Sequence, residues 1–416
     1  MDTSENSVTP ELQPYDIALR EAWSEFCDGL KSQLDLVYRP NTPTRELDRA
    51  WGVRYMSRYI NKALNDVLEY LDFDFPQLWV MQHPTSKSFG DNPDCTYLVT
   101  RIEGTKTYRI TGNRGTAPWV RFVLTPYEEL VGGSVLTAPN LVVLAGEDLV
   151  TEPDGSFVVT ISPDEHSGNW MMPPVGTSRL MIRQFFGEWD HEQPMVAQIE
   201  RVGQLGEHPQ QLTAERMVKA LRDTNNYIAK DADRWYRWSC FYKERPNSFY
   251  AGRPPWAGGT DTAERAVGRW LNICFWEIEP DEALLVEFTP PDVFMWLFEL
   301  DNFWMNSVDY RYHFSSLNSR QAVTEEDGTV RIAISNVDPG IPNWLDPAGH
   351  LEGLVMGRWI QPAPGAENVS PTARVVKVSE LLRTPPEKAR RITPAARLEQ
   401  LRRLSAGVEN RFGPGR

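Results

Sequence analysis

The strongest constraint on the fold of this chain is an internal repeat. An Asp-Gly turn, an Asn-Trp pair and a strand that carries an arginine occur twice in the same order. The first set is Asp154, Asn169 with Trp170, and Arg183, and the second is Asp327, Asn343 with Trp344, and Arg358. The offsets are 173, 174 and 175 residues. Unrelated sandwiches share Asp-Gly hairpins, but they have no reason to share the Asn-Trp pair, so we interpret the repeat as a duplication.

Each copy lies in a stretch whose composition is typical of β-strands. In the first stretch, short runs rich in Val, Ile, Tyr and Phe alternate with Gly, Pro, Asn and Asp. The runs are 95–102, 106–111, 119–124, 141–145, 157–162 and 179–186. No helical pattern separates them, which favours an antiparallel β-sandwich over alternating strands and helices. The second strand-rich stretch, 273–359, predicts a second sandwich.

Helices are predicted before, between and after the two sandwiches. Thr42 fits the N-cap of a helix that ends near Pro76. Thr213 fits the N-cap of an aromatic-rich helical block that runs to about residue 244, and Thr393 fits the start of a helix near the C-terminus. That last segment is basic, and a solvated helix is its favoured interpretation.

These patterns divide the chain into five segments, since 416 residues exceed what one hydrophobic core normally serves. The predicted segments are an N-terminal helical segment (1–75), a first sandwich (76–190), a helical connector (191–262), a second sandwich (263–362) and a basic C-terminal helical tail (363–416).

The motifs of the repeat also resemble a known family. Residues 284–361 resemble the bacterial domain of unknown function numbered 1214, whose pattern is Asp-Gly, then Asn-Trp-Leu-Pro-x-Pro, then a strand with Arg. Asp346 stands where that family usually has Pro. Residues 91–97 resemble the NPDTxY element of the companion domain numbered 1254, with one residue inserted before Thr96.

The resemblance covers about two-thirds of the chain and implies that both sandwiches are jelly-roll-like. It implies no activity and no catalytic residues. The predicted fold is therefore mainly β with accessory helices: two tandem antiparallel jelly-roll-like β-sandwiches from an internal duplication, with a helical N-terminus, a central helical insertion and a C-terminal helical tail.

Composition excludes several classes of function. A net charge of -14 argues against nucleic acid as the main partner. No apolar run of about 18 residues and no N-terminal apolar segment are present, so we expect a cytoplasmic protein with no membrane partner. The spacing of the Cys and His residues matches no metal motif, and no nucleotide-binding motif appears, so neither a metal nor another cofactor is expected. A homo-oligomer is compatible with the sequence.

The densest group of reactive side chains is the segment 91–97. Asp91, Asp94 and Tyr97 are candidate catalytic residues, because two carboxylates and a phenol could divide general acid and base work. Tyr108 and Arg114, on the next predicted hairpin, could bind the substrate. The alternative is structural, since Asp and Asn beside Pro also form turns.

Further candidates lie in the second half of the chain. Glu277 is a candidate catalytic acid if its strand face lines a cavity, and a solvent-exposed face is the alternative. Candidate substrate-binding residues are Tyr310 and His313 on one predicted strand, and Trp235 and Trp238 in the central helical block.

Two functions are compatible with this sequence. One is a hydrolase or lyase without a nucleotide cofactor, acting on a carbohydrate or a similar polar ring compound. The other is a non-catalytic protein that binds a small molecule or builds an oligomer. Features kept in both copies are assigned to the scaffold, so a site is expected among features that the copies do not share.

Overall fold

The computed structural model of the chain describes residues 11–70, 72–88, 90–126, 141–257, 268–383 and 390–413. The helices within these ranges are α1 (Pro14–Gln33), α2 (Glu46–Leu64), α3 (Ala214–Lys243), α4 (Val378–Arg383) and α5 (Pro394–Phe412). The strands of the first half are β1 (Trp79–Val80), β2 (Cys95–Glu103), β3 (Tyr108–Asn113), β4 (Trp119–Pro126), β5 (Val142–Ala145), β6 (Ser156–Ile161), β7 (Asn169–Met171), β8 (Thr177–Phe185) and β9 (Val196–Arg201). Those of the second half are β10 (Phe249–Ala251), β11 (Arg269–Glu277), β12 (Glu282–Phe288), β13 (Val293–Asn302), β14 (Ser316–Asn318), β15 (Val330–Ile334), β16 (Trp344–Leu345), β17 (Glu352–Pro362) and β18 (Thr372–Lys377).

The sheet topology confirms two tandem β-sandwiches related by duplication. The first sandwich pairs a sheet of order β1-β2-β8-β4-β5 with one of order β7-β6-β3-β9. The second pairs β10-β11-β17-β13-β14 with β16-β15-β12-β18. Every strand of the first half thus recurs nine strands later in the same place. All other strand pairs are antiparallel, but β6 and β7 pair in parallel in the first copy, and their counterparts β15 and β16 do the same in the second.

Three strands lie outside the segments predicted as sandwiches. β9 and β10 fall within 191–262, and β18 falls beyond 362. Each adds to the edge of a sheet, β9 beside β3 and β18 beside β12. Edge strands are held mainly by backbone hydrogen bonds, so they need no continuous apolar face that a sequence pattern would reveal.

The two five-stranded sheets face each other across an interface that we call the seam. Its apolar residues come from both sheets and pack as one cluster: Trp79, Met81, Cys95, Tyr97, Val99, Trp119, Met181, Phe185, Met295, Leu297 and Ile360. Both faces of these sheets are therefore covered, one by the sandwich interior and one by the seam. This explains why β8 is buried along almost its whole length.

Helices α2 and α3 cover the part of the second five-stranded sheet that the seam leaves open. Tyr55 and Tyr59 of α2 and Trp238 of α3 pack with Phe275 and Leu354 of that sheet. Within the described ranges, no helix combines the length and the apolar character that a membrane span requires.

Two of the three predicted N-caps are confirmed. The Thr213 hydroxyl accepts a hydrogen bond from the Arg216 amide, and Thr393 accepts one from the Ala396 amide. Thr42 does not cap α2, which begins at Glu46. Its hydroxyl donates instead to the carbonyl of Arg39, so it braces the turn that precedes the helix.

The repeated Asn-Trp pairs have the same structural role in both copies. Asn169 exchanges two hydrogen bonds with the backbone of Val150, both of 2.8 Å. Asn343 does the same with Val323, at 2.8 and 2.7 Å. The indole of the following tryptophan donates to the Ser162 carbonyl in the first copy and to the Ser335 carbonyl in the second. These residues hold the loops of the scaffold.

The C-terminal helix α5 is docked on the protein, unlike the solvated helix that its basic composition favoured. Leu404, Val408 and Arg411 are buried. Gly407 lies so close to Trp189 that a Cβ at this position would overlap the tryptophan. A small residue at position 407 therefore sets how closely α5 approaches the first sandwich.

We expect Gly407→Ala to lower the stability of the protein by about 1–3 kcal/mol, the usual cost of overpacking. The added methyl group must push α5 away from Trp189. The free energy of unfolding in urea measures the loss, and limited proteolysis reports whether α5 has loosened. Ser405→Ala, on the exposed face of α5, is the control. Equal stability of the two variants would show that α5 is not tightly docked.

Candidate active site

Two loops from different sandwiches are clamped together at one end of the seam. The loop between β1 and β2, which we call the first loop, contributes Asp91. The loop between β13 and β14, the second loop, contributes Ser307. The carboxylate of Asp91 accepts hydrogen bonds from the Ser307 amide at 2.9 Å and from the Ser307 hydroxyl at 2.7 Å. Both side chains are buried. Asp91 therefore fixes the position of the second loop relative to the first.

A buried lysine makes further contacts between the same two loops. The Nζ of Lys87 donates to the Ser307 carbonyl and hydroxyl, at 2.8 Å each, and lies 4.2 Å from the centroid of the Tyr310 ring. Burial lowers the pKa of Lys87 to about 8, although Asp91 nearby opposes the shift. Its ammonium is used to bind oxygen atoms of the second loop.

Asp94 is a second, fully buried link between the sandwiches. Its carboxylate accepts hydrogen bonds from the Trp189 indole at 2.7 Å, the Asn318 amide at 2.6 Å and the Ser316 hydroxyl at 2.8 Å. Burial raises the pKa of Asp94, and these hydrogen bonds oppose the rise. With three donors around it, this carboxylate already has the partners that a buried charge requires.

Beside these links, β13 carries two acidic residues, Glu299 and Asp301, that are fully buried. They are two positions apart on a strand, so their side chains share one face and their Cα atoms are about 6.6–6.8 Å apart. Arg358 of the neighbouring strand β17 lies 2.5 Å from a carboxylate oxygen of Glu299. Among the described residues, none donates a hydrogen bond to either carboxylate oxygen of Asp301.

The electrostatics of this acid pair favour a proton on Asp301. Burial raises the pKa of Asp301 well above its ordinary value, and Glu299 and Asp91 raise it further. Burial also raises the pKa of Glu299, while Arg358 acts in the opposite direction. Because Arg358 contacts Glu299 directly, Glu299 is the member of the pair that ionises more easily and Asp301 is the one that keeps its proton.

Gly90 lets the first loop approach the acid pair. Its φ is +64°, and its carbonyl accepts a hydrogen bond from Arg358 at 3.2 Å. A Cβ at this position would lie 2.6 Å from the Met356 methyl group and 3.4 Å from a carboxylate oxygen of Asp301. A larger residue would both strain the backbone and push the loop away from Asp301.

Four of the residues singled out from sequence come together here. Asp91 and Asp94 are both close enough to Glu299 to raise its pKa. Tyr97 lies on the seam, where burial raises the pKa of its phenol and Arg358 opposes the shift. Tyr310, also buried, is an electrostatic neighbour of Asp91.

Three other candidates lie elsewhere. Glu277 is exposed at the end of β11, opposite Glu352, so its face does not line a cavity with the acid pair. Tyr108 is buried against its own sandwich, and its hydroxyl donates to the Phe73 carbonyl at 3.0 Å. Arg114 donates to the Ala117 carbonyl of its own loop at 2.7 Å. These hydrogen bonds within the fold explain the positions of Tyr108 and Arg114 without a ligand.

The remaining candidates also have partners within the fold. Trp235 and Trp238 of α3 pack on each other, with ring centroids 5.1 Å apart. The His313 ring pairs with Asp346 at 2.7 Å, and this contact raises the pKa of His313. In the part of the chain that the structure describes, no three His, Cys, Asp or Glu residues are grouped so that they could hold a metal ion.

Sequence reasoning missed the acid pair. The signal was present, because Glu299 and Asp301 are the two charged residues within the otherwise apolar run of β13. Charged residues two apart in a strand that is buried on both faces need a partner or a function. Lys87 and Arg358 were missed as their neighbours, since nothing local shows that distant segments meet at the seam.

A solved structure of an uncharacterised protein from Burkholderia cenocepacia is similar to this chain over nearly its full length. The two sequences are 30% identical, the match covers 87% of this chain and 99% of the other, and the TM-score is 0.77. This chain belongs to the family of that protein. A Vibrio parahaemolyticus protein also matches, over 84% of this chain and 100% of the other, at 11% identity and a TM-score of 0.46.

The family model named "Protein of unknown function (DUF1214)" matches residues 99–187 of this chain. The predicted resemblance to domain 1214 is thus confirmed, but the match falls on the first sandwich, whereas the motifs had placed it at 284–361. The two sandwiches are copies with the same turn, Asn-Trp pair and strand order. The motifs therefore occur in both, and they had been recognised in the second copy. The resemblance to domain 1254 stays a prediction. No curated protein matches the chain.

Asp94→Asn should destabilise the protein by roughly 2–3 kcal/mol, the size of a lost hydrogen bond to a buried charge. An amide at this position must turn an N–H group toward one of three donors. Urea unfolding measures the change, with the exposed Asp164→Asn as the control. If both variants unfold like the wild type, Asp94 is not the link that its contacts indicate.

Asp301→Asn should stabilise the protein increasingly as the pH rises from 5 to 8. The raised pKa means that the folded state keeps a proton that the unfolded chain has lost, so this residue's contribution to wild-type stability is lost as the pH rises. Asparagine has nearly the shape of the protonated acid and does not titrate. The gain should grow by at most about 1.4 kcal/mol per pH unit.

Thermal unfolding at several pH values tests this expectation. The Asp164→Asn variant should stay parallel to the wild type throughout. A pH profile of Asp301→Asn that is also parallel to the wild type would mean that Asp301 is ionised in the folded protein.

Proposed function

We propose that the protein is an acid–base enzyme, a hydrolase or lyase that acts on a carbohydrate or a similar polar ring compound without a nucleotide cofactor. Its proton-transfer groups are Glu299 and Asp301. The observation that carries this proposal is the pair of fully buried carboxyl groups on one strand face, of which Asp301 has no hydrogen-bond donor among the described residues. Groups with strongly shifted pKa values of this kind are concentrated at active sites.

The two carboxyl groups differ in the way that acid–base catalysis requires. Asp301 keeps its proton and is suited to donate it to a leaving oxygen. Burial raises the pKa of Glu299 to about 8 against the opposing effect of Arg358, so Glu299 can accept a proton from a substrate or from water in its ionised form, whose share grows as the pH rises. Two carboxyl groups whose surroundings separate their pKa values can therefore perform both halves of the reaction.

Asp91 and Asp94 have a positioning role in this proposal. Their oxygens accept hydrogen bonds from the opposite loop and from β14, so they hold the two sandwiches in register around the acid pair. Tyr97, on the seam, supplies an apolar ring face on which a sugar or another ring compound could pack.

The substrate would approach from the side where the polar cluster reaches half-buried residues. His83 and Asp309 are partly exposed there. Both are electrostatic neighbours of buried members of the cluster, His83 of Asp91 and Asp309 of Lys87. This is the side on which the first and second loops meet.

Asp301→Asn and Glu299→Gln should each lower kcat/KM by about 100-fold or more, the usual contribution of a general acid or base. The measurement is product formation by mass spectrometry on a panel of glycosides, uronic-acid oligosaccharides and lactones. Glu277→Gln is the matched control, because it neutralises an exposed acid of the same sandwich and should keep full activity.

Two outcomes would contradict the proposal. Turnover that survives in both acid variants would move the chemistry elsewhere. A complete lack of turnover by the wild type on the panel, together with a defined oligomer in light scattering, would favour the non-catalytic alternative.

A further inference from the structure

Arg183 is a buried cation that has no acidic partner among the residues that the structure describes. The residue is 8% exposed, and no carboxylate in the described ranges forms an ion pair with its guanidinium. Its guanidinium lies 5.4 Å from the Tyr97 ring centroid, its Nη2 contacts the Met181 sulfur at 3.6 Å, and its Nε has no hydrogen-bond acceptor in the described part of the chain. Such a charge is strongly unfavourable inside a protein unless an anion compensates it.

The internal repeat shows which partner Arg183 lacks. Its counterpart is Arg358, whose Nη2 contacts the Met356 sulfur at 3.4 Å, just as Arg183 contacts Met181. In the second copy, Met356 lies opposite Glu299, which binds Arg358. In the first copy, Met181 lies opposite Val123. The first copy has therefore kept the arginine and has a valine where the second has its acid.

The surroundings of Arg183 add positive charge. Arg269 and Arg358, both buried, lie near enough to lower its pKa by repulsion, after the larger effect of burial itself. An anion that bound Arg183 would also offset this repulsion.

We propose that Arg183 binds the carboxylate group of the substrate, which is therefore a carboxylated ring compound. This assignment rests on the proposed acid–base function, because it makes the anion part of the molecule that reacts at Glu299 and Asp301. The planar guanidinium fork matches a carboxylate with two parallel hydrogen bonds. A doubly charged phosphate would be repelled more strongly by Asp91 and Glu299, so the single charge of a carboxylate fits better.

Tyr97 and Arg358 connect the two parts of this site. The Tyr97 ring lies beside Arg183, and its phenol is an electrostatic neighbour of Arg358 and Glu299. A ring whose carboxylate meets Arg183 can lie along Tyr97 and place its carbon atoms next to the acid pair. Arg358 belongs to both parts, since it contacts Glu299 and repels Arg183.

Ligand-dependent thermal unfolding of the full chain tests the proposal. The probes are D-glucuronate, D-galacturonate, benzoate and cyclohexanecarboxylate, with D-glucose, benzamide and inorganic phosphate compared at equal ionic strength. We expect at least one carboxylate to raise the melting temperature, its neutral analogue to have no effect and phosphate to have a smaller effect.

Three variants locate the binding site. Arg183→Met should weaken carboxylate binding about ten- to hundredfold while its own melting temperature is unchanged or higher, because it removes an uncompensated buried charge. A purely structural arginine would instead lose stability on the same change. Arg183→Lys keeps the charge without the fork and should bind with intermediate affinity. Arg109→Met removes an exposed positive charge of the same sandwich and should bind like the wild type.

The outcomes separate this proposal from the proposed function. Carboxylate binding that Arg183→Met abolishes and Asp301→Asn leaves intact supports the binding site, whether or not turnover is found. If no carboxylate stabilises the wild type, if phosphate or the neutral analogue does so equally well, or if Arg183→Met responds like the wild type, the proposal is wrong.

Discussion

The buried carboxylate of Asp94 is the interaction on which the arrangement of the two sandwiches depends. It stands at the start of the first sandwich's strand β2 and accepts hydrogen bonds from Ser316 and Asn318 on β14 of the second. A buried charge must have its hydrogen bonds, so β14 cannot shift relative to β2 without a large loss of free energy. Because β14 pairs with β13, Asp94 also fixes the strand that carries the acid pair.

Duplication placed two similar sheets face to face, and divergence between the copies then supplied the polar residues of the seam. Positions 299 and 301 of the second copy correspond to Val123 and Thr125 of the first, as the register of the strands shows. Residues that both copies share, such as the Asn-Trp pairs, hold loops. Glu299 and Asp301 are features that the two copies do not share, whereas Arg358, which contacts Glu299, has a counterpart in Arg183.

The C-terminal helix shows how charge can mislead a reading of the sequence. The tail is basic, yet one of its arginines, Arg411, is buried. Arg411 stacks on the Trp189 ring, with its guanidinium carbon 3.9 Å from the ring centroid, and donates to the Pro93 carbonyl. It therefore covers the loop that carries Asp91 and Asp94, and burial lowers its pKa to about 10. Composition counts charges but does not show which of them a neighbouring aromatic ring and carbonyl can hold.

The sequence by itself determined the architecture. The repeat, the strand pattern and the turns predicted two tandem sandwiches with flanking helices, because alternation and turn chemistry are local properties. They also singled out Asp91, Asp94, Tyr97 and Tyr310, which do come together. Only the tertiary structure decided that Glu277 and Arg114 lie apart from them, that Glu299 and Asp301 lie together at the seam, and that Arg183 lies beside Tyr97. Whether a charged side chain reaches water or another sheet depends on how distant strands pack, and no local pattern records that.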